Sequence, residues 1–367
     1  MNTEGDKKLT RVRDFLAGEE FDGVLLGKRY NFYWLTGGAT NHVVTGTRDG
    51  DSFLLVTEDD VYLLASRIEM PRVSGEEDLG LDYYPVEYDW YDPDLVRIVE
   101  DLGLEQDRVR SDTSGAGFKL LPRDFGELRY GFTDEEIPRY RSLGEEVTDV
   151  VENYCRYEVE PGETEVEVAA NLEPKIRKIG VESTLILVGS DERMLSYRHP
   201  IPKDKRVESY VMIVICAHRG GQFVNMTRTV SFGPVPRGLS EKQEVCARVD
   251  AAAIAGTTVG RPVSEVLGDM KEVYAENGYA EQWKLHHQGG ATGYLEREYV
   301  VTPESTQVVK NNQPFAWNPS TEGAKTEDTI IVRKGGFEFI TEPGAAWPAF
   351  GIETEGSTVR RPRILEV

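Results

Sequence analysis

Cysteine, positive charge and long apolar runs are all scarce in this 367-residue chain. No apolar segment is long enough to span a bilayer, and the opening Met-Asn-Thr-Glu-Gly-Asp-Lys-Lys lacks the apolar stretch of a secretion signal. A cytoplasmic protein outside the membrane is therefore expected. Cys155, Cys216 and Cys246 are widely spaced and form no Cys-x-x-Cys pair, which argues against a disulfide framework or a thiolate zinc site. Lys and Arg number 42 against 64 Asp and Glu, a net charge of −22. That imbalance disfavours nucleic-acid phosphates and anionic membranes as partners. The acidic residues are spread along the chain, and Arg outnumbers Lys, as on a salt-adapted surface. The sequence contains no short-period repeat and no low-complexity segment.

The first third mixes helical and strand patterns. Asp6 to Glu20 reads as a helix, Gly23-Val-Leu-Leu-Gly27 as a buried strand, and 52–56 with 61–65 as a hairpin across an acidic turn. Asp94 to Leu102 is again helical, and Val109 begins a strand. The texture changes at Thr133-Asp-Glu-Glu136, whose spacing predicts a capping box at the head of a helix reaching Tyr157. Pro161-Gly162 ends it, and Thr164 caps a second helix towards Ile179. Strands follow at 183–188, 211–217 and 222–232, the last two turning at Gly220-Gly221. Helices are expected over 240–256 and 263–277, and strands over 313–317, 329–332 and 337–340. The pattern is α/β (α+β), with domains at 1–132 and 133–367.

Two strings stand out in the second domain, Asn225-Met-Thr-Arg-Thr229 and Lys325-Thr-Glu-Asp-Thr329, and one in the first, Asn31-Phe-Tyr-Trp-Leu-Thr-Gly37. In this order the chain resembles, over nearly its whole length, the pita-bread family of methionine aminopeptidases, Xaa-Pro aminopeptidases, prolidases and creatinase. The resemblance implies a creatinase/prolidase-like N-terminal domain and a pita-bread domain of curved antiparallel sheet with two helix pairs on its outer face. It also implies a homodimer whose sites are closed by the partner's N-terminal domain.

The peptidases of this family hold two divalent ions with two Asp, one His and two Glu. Carried over by resemblance, those positions are Val214, Asn225, Gly290, Asn318 and Glu327. Valine has no lone pair to offer, and one carboxylate with two amides cannot hold two divalent cations. No metal and no other cofactor is expected. His218, His286 and His287 lie near the lost positions, but adjacent side chains in a strand point opposite ways, which favours hydrogen-bonded pocket histidines over a shifted metal site.

His199, in Ser196-Tyr-Arg-His-Pro-Ile-Pro202, is the candidate proton carrier. Imidazole exchanges a proton near neutral pH, and the flanking prolines restrain its backbone. Creatinase, which needs no metal, has its catalytic histidine at the matching place. Glu327 reads two ways, as a group for a cationic substrate or a general base, and as a structural carboxylate paired with Arg228. Thr227 replaces a glutamate of creatinase, so creatine itself is an unsuitable substrate. Arg198 and Arg193, close to His199, could receive a substrate carboxylate. Arg48, in Gly46-Thr-Arg-Asp-Gly50, loosely matches a substrate-binding arginine of creatinase, or is a solvated turn residue. The expected site thus has His199 and Glu327 as catalytic groups, with Arg198, Arg48, Asn225, Asn318 and His287 binding substrate. These readings imply a creatinase-like, metal-independent hydrolase of a small polar C–N substrate. The alternatives are a peptidase-like binding protein that does not cleave, and an Xaa-Pro aminopeptidase or dipeptidase with shifted ligands. Partners are expected to be a small molecule or short peptide.

Overall fold

The computed structural model describes residues 3–354 and 356–367. It falls into two compact units, residues up to 129 with 220–222, and residues 130–219 with 223–367. Among the described residues no helix is long and apolar enough to cross a membrane.

The first unit is built on a six-stranded mixed sheet. Gly23–Lys28 pairs antiparallel with Asp49–Thr57 and parallel with Val109–Ser111. Asp49–Thr57 and Val61–Ser66 form the expected hairpin. Leu25, Leu55 and Leu64 make a core closed by Ile98 and Val99 of the helix Leu95–Asp101. The string beginning at Asn31 lies in a helix, Arg29–Thr36, ended by Gly37 at φ 74°, where a Cβ would be strained. Asn31 is buried because its amide is used twice: its Nδ2 donates to Asp112 (2.8 Å), and its Oδ1 accepts from Arg129 (2.5 Å).

The second unit holds two larger sheets, two two-stranded ones and two helix pairs. One sheet runs Leu365–Glu366, Gln222–Ser231, Tyr210–Arg219, Glu182–Ser190. The other runs Tyr299–Val300, Gly289–Ala291, Gln313–Trp317, Asp328–Arg333, Gly336–Phe339. Helices Glu136–Tyr157 and Glu165–Lys178 form one pair, and Arg237–Gly256 and Val263–Glu276 the other. The antiparallel rule has one exception, since Leu365–Glu366 joins Gln222–Ser231 in parallel. Gly220 and Gly221 turn at φ 55° and 78°, as the hairpin required. A terminal hairpin, Ala349–Thr354 with Ser357–Pro362, went unseen in the sequence and packs on helix Arg237–Gly256.

The two helix caps differ. Thr164 and Glu167 make a complete capping box. At Thr133 only half forms: the Thr133 N–H donates to Glu136 Oε2 (2.6 Å), while its hydroxyl has no partner among the described residues. The helix starts at Glu136 itself, whose other carboxylate oxygen accepts from the Tyr294 hydroxyl (2.6 Å).

A buried chain of charges ties these elements together. Arg228 donates to Glu152 (2.7 Å) and to Asp328 (3.0 Å), and Arg361 lies 2.7 Å from both Asp328 and Asp250. Three carboxylates face two guanidiniums. The imbalance is relieved at Asp250, whose carboxyl is pushed up to about 8 because burial outweighs the nearby Arg361. It keeps a proton at neutral pH, leaving two charges of each sign. Breaking such a network strands a buried charge, which costs about 3–5 kcal/mol. Arg361→Met should therefore lower the unfolding free energy by about that much in urea at constant high salt. A loss below about 1 kcal/mol would show that the chain contributes little.

Candidate active site

Glu327 lies between two strands, and its carboxylate is fully engaged. Lys325 Nζ is 2.8 Å from Oε2, Arg297 Nη2 donates to Oε1 (2.7 Å), and the Thr227 hydroxyl donates to Oε2 (3.0 Å). Lys325 and Glu327 are two apart in extended backbone, so both side chains fall on one face. Burial alone would raise the Glu327 carboxyl, but the two cations outweigh it and hold it down at about 2. The sequence reading that paired Glu327 with Arg228 is corrected: Arg228 is spent on Glu152 and on Asp328, one residue further along. Lys325 and Arg297 were both missed. The i, i+2 spacing could have revealed the lysine, whereas Arg297 sits in an irregular bend thirty residues away and gave no signal.

The remaining ligand positions do not fit a pair of metal ions. Val214 packs in an apolar cluster with Leu187, Met194 and Met212. Asn225 is bound by the threonines around it: its N–H donates to Thr329 Oγ1 (2.8 Å) and its Nδ2 to Thr292 Oγ1 (3.3 Å). A Cβ at Gly290 would come 2.2 Å from the Tyr299 carbonyl oxygen, so the backbone has closed over the space a histidine would need. Asn318 is buried with its Oδ1 lacking a partner among the described residues. Glu327 already has its charge balanced by protein cations. No dinuclear centre can be assembled from these groups without displacing Lys325 and Arg297.

Beside this ion cluster stand three imidazoles. His199 Nε2 and His286 Nε2 are 3.0 Å apart, and the ring of His287 lies 4.6 Å from that of His286 and 5.8 Å from that of His199. The expectation that His286 and His287 diverge is overturned. They do not lie in a strand but in the irregular segment after the 3-10 turn Gln282–Lys284, where neighbouring side chains can converge. His286 Nδ1 is 3.3 Å from Ser320 Oγ, and its carbonyl accepts from Gln288 Nε2 (2.6 Å). Tyr274 braces both partners, donating to Gln288 Oε1 (3.1 Å) and accepting from the Ser320 N–H (2.8 Å). Burial, with Lys325 next in effect, pushes His286 far below its ordinary value and lowers His199 as well. Burial and then Arg297 bring His287 down to about 4. All three rings are neutral near pH 7.

The His199 loop is held at both ends by carboxylates. Buried Glu165 accepts from the Ser190 N–H (2.8 Å), Arg193 Nε (2.9 Å) and the Lys203 N–H (3.1 Å). Asp191, at φ 49°, accepts from the backbone N–H groups of Glu208, Ser209 and Tyr210 at 2.8–3.1 Å. Pro200 presses on Gly189, where a Cβ would lie 2.5 Å from its ring. Arg193 is thereby committed to Glu165. Arg198 reaches Gln282 Oε1. His218 lies elsewhere, 3.9 Å from Glu182, with its ring 4.6 Å from that of Phe223 and tilted to it by 43°. Arg48 is exposed in the first unit, its carbonyl accepting from the Arg29 N–H (3.0 Å).

Fold and site together define a peptidase scaffold of the pita-bread type. The model of metallopeptidase family M24 matches residues 139–334, more than half the chain, and that of the creatinase/prolidase N-terminal domain matches residues 8–142. The chain belongs to metallopeptidase family M24. It is 24% identical to an uncharacterized peptidase of Staphylococcus aureus (strain MW2), over 91% of this chain and 98% of that one. It is 22% identical to a Xaa-Pro dipeptidase of Pyrococcus horikoshii, over 92% and 97%. Among solved structures it is similar in fold to a Xaa-Pro dipeptidase from Bacillus anthracis, with TM-score 0.79, 20% identity and coverage of 99% and 100%. It is also similar to the N-terminal domain of the FACT complex subunit SPT16 from Cicer arietinum, with TM-score 0.68, 14% identity and coverage of 93% and 97%.

The neutral imidazoles carry a pH signature. A base whose folded pKa is depressed stabilises the fold above its ordinary value, near 6.5 for histidine, and loses that contribution as pH falls towards the folded value. The stability advantage of wild type over His287→Gln should therefore shrink between about pH 6.5 and about pH 4. A pH-independent difference in urea midpoints would mean that His287 is not held neutral.

Proposed function

We propose that the chain is a metal-independent hydrolase of a small polar substrate with a scissile C–N bond and a negatively charged group. The observation carrying this reading is Glu327 held between Lys325 and Arg297, where the family uses metal charge. Two cations on one carboxylate leave one positive charge uncompensated in a buried setting. Such a setting suits a substrate carboxylate or the oxyanion of a tetrahedral intermediate. It is unsuited to a guanidinium, because the Glu327 oxygens that would receive it are occupied.

His199 is the proton carrier in this reading. If His286 Nδ1–H donates to Ser320, His286 Nε2 accepts from His199 Nε2–H, and His199 Nδ1 keeps its lone pair. That nitrogen takes a proton from the attacking water as the C–O bond forms at the substrate carbon. The proton then passes to the leaving nitrogen as the C–N bond breaks. Glu327 organises Lys325 and Arg297 and does not itself take up a proton, consistent with its low pKa.

A turnover screen of guanidino, amidino, amide and Xaa-Pro compounds at high salt tests the proposal. With any substrate found, His199→Ala should lower kcat/KM by about 10²–10⁴-fold, as for loss of a general acid–base. Lys325→Met should cost about 10²–10³-fold in kcat, as for loss of an oxyanion donor. Full activity of the His199 variant refutes the mechanism. Peptide binding without turnover of any compound would favour a binding protein instead.

A further inference from the structure

We propose that His199, His286 and His287 form a binding site for a single borderline divalent ion, of the zinc, cobalt or copper class, separate from the dinuclear position that this chain has lost. Among the described residues this is the one group of three or more His, Cys, Asp or Glu side chains whose donor atoms converge, with one atom from each ring lying within 4.8 Å of the others. Three nitrogens on a tetrahedral ion, each about 2.0–2.1 Å from it, lie about 3.3 Å apart, so modest ring rotations bring the set into register. The Nε2 atoms of His199 and His286, 3.0 Å apart, are already close to that separation, and turning both lone pairs towards a common point replaces their mutual hydrogen bond.

The surroundings suit ligation in three further ways. Ligands must be unprotonated to bind, and imidazole, with an ordinary pKa of about 6.5, is largely so at physiological pH. His286 carries an outer partner, Ser320 Oγ at 3.3 Å from Nδ1, of the kind that orients a metal-bound imidazole. His287 Nδ1 is buried with no hydrogen-bond partner among the described residues, which leaves an unsatisfied polar atom in the cluster. His286 is buried while His199 is exposed, so an ion held by three rings keeps a solvent-facing position for water or an anion.

The donor set also dictates selectivity. Three neutral nitrogens without a carboxylate favour zinc, cobalt, nickel or copper over magnesium, calcium and manganese, which require oxygen ligands. Lys325 and Arg297, both close enough to act electrostatically on the rings, repel any cation placed here. Affinity is therefore lower than three such rings would give away from these cations. An ion on these rings takes up His199, so occupancy and proton transfer by His199 exclude each other.

The test is a cobalt titration of the chelator-treated, full-length protein, read by visible absorption and independent of any substrate. One cobalt per chain should bind, with the intense d–d bands of four- or five-coordination, and zinc but not magnesium should displace it. His286→Gln and His287→Gln should each weaken binding at least about tenfold, roughly 1.4 kcal/mol, with circular dichroism unchanged. His218→Gln, at a histidine outside the cluster, should bind like wild type. Pale six-coordinate cobalt, or equal binding by wild type and the His286 variant, overturns the proposal. Neither result bears on the hydrolase reading, which turnover tests separately.

Discussion

A carboxylate buried as deeply as that of Glu327 must have its charge met, and how it is met determines the chemistry around it. Desolvation can raise such a group by about 3–5 pKa units, whereas each close opposite charge lowers it by about 1–3. Here Lys325 and Arg297 win, and Glu327 stays ionised near 2. Both cations are part of the chain, so the neutralisation cannot be diluted or chelated away. With its carboxylate oxygens occupied by Lys325 and Arg297, Glu327 sits in a site with built-in positive charge.

The elements around Glu327 serve its placement. Asp328, the next residue, anchors the buried chain of Glu152, Arg228, Arg361 and Asp250, so the strand entering Glu327 cannot slide without stranding charges. Thr227 binds Glu327 through both backbone and hydroxyl, coupling the hairpin strand Gln222–Ser231 to it. Val214 packs against Met194 in the short helix Glu192–Ser196, which leads into the loop carrying His199, and so helps to hold that loop. The site is a cationic island in a chain of net charge −22. The anionic substrate proposed above would approach against the overall field, and that repulsion is screened as salt rises.

Much of the architecture was legible, because the hydrophobic periods and turn residues act locally. The hairpin at Gly220-Gly221, the helix capped by Thr164 and the strand Gln313–Trp317 follow from a few adjacent residues. The residues at the expected ligand positions were read through the family resemblance. The surroundings of Glu327 were less accessible. Arg297 reaches Glu327 from an irregular segment that no periodicity describes, and Tyr294 reaches Glu136 from the same segment. His286 and His287 were assigned to opposite faces on the assumption of a strand. The 3-10 turn before them gives the backbone a different course.

Anomalous diffraction from crystals of the full-length chain soaked in excess Mn²⁺ tests most directly whether protein cations have replaced the metal pair. The expected map shows no manganese within coordinating distance of Glu327, with Lys325 Nζ and Arg297 Nη2 still on its oxygens. Two manganese ions ligated by Glu327, with both side chains displaced, would contradict it.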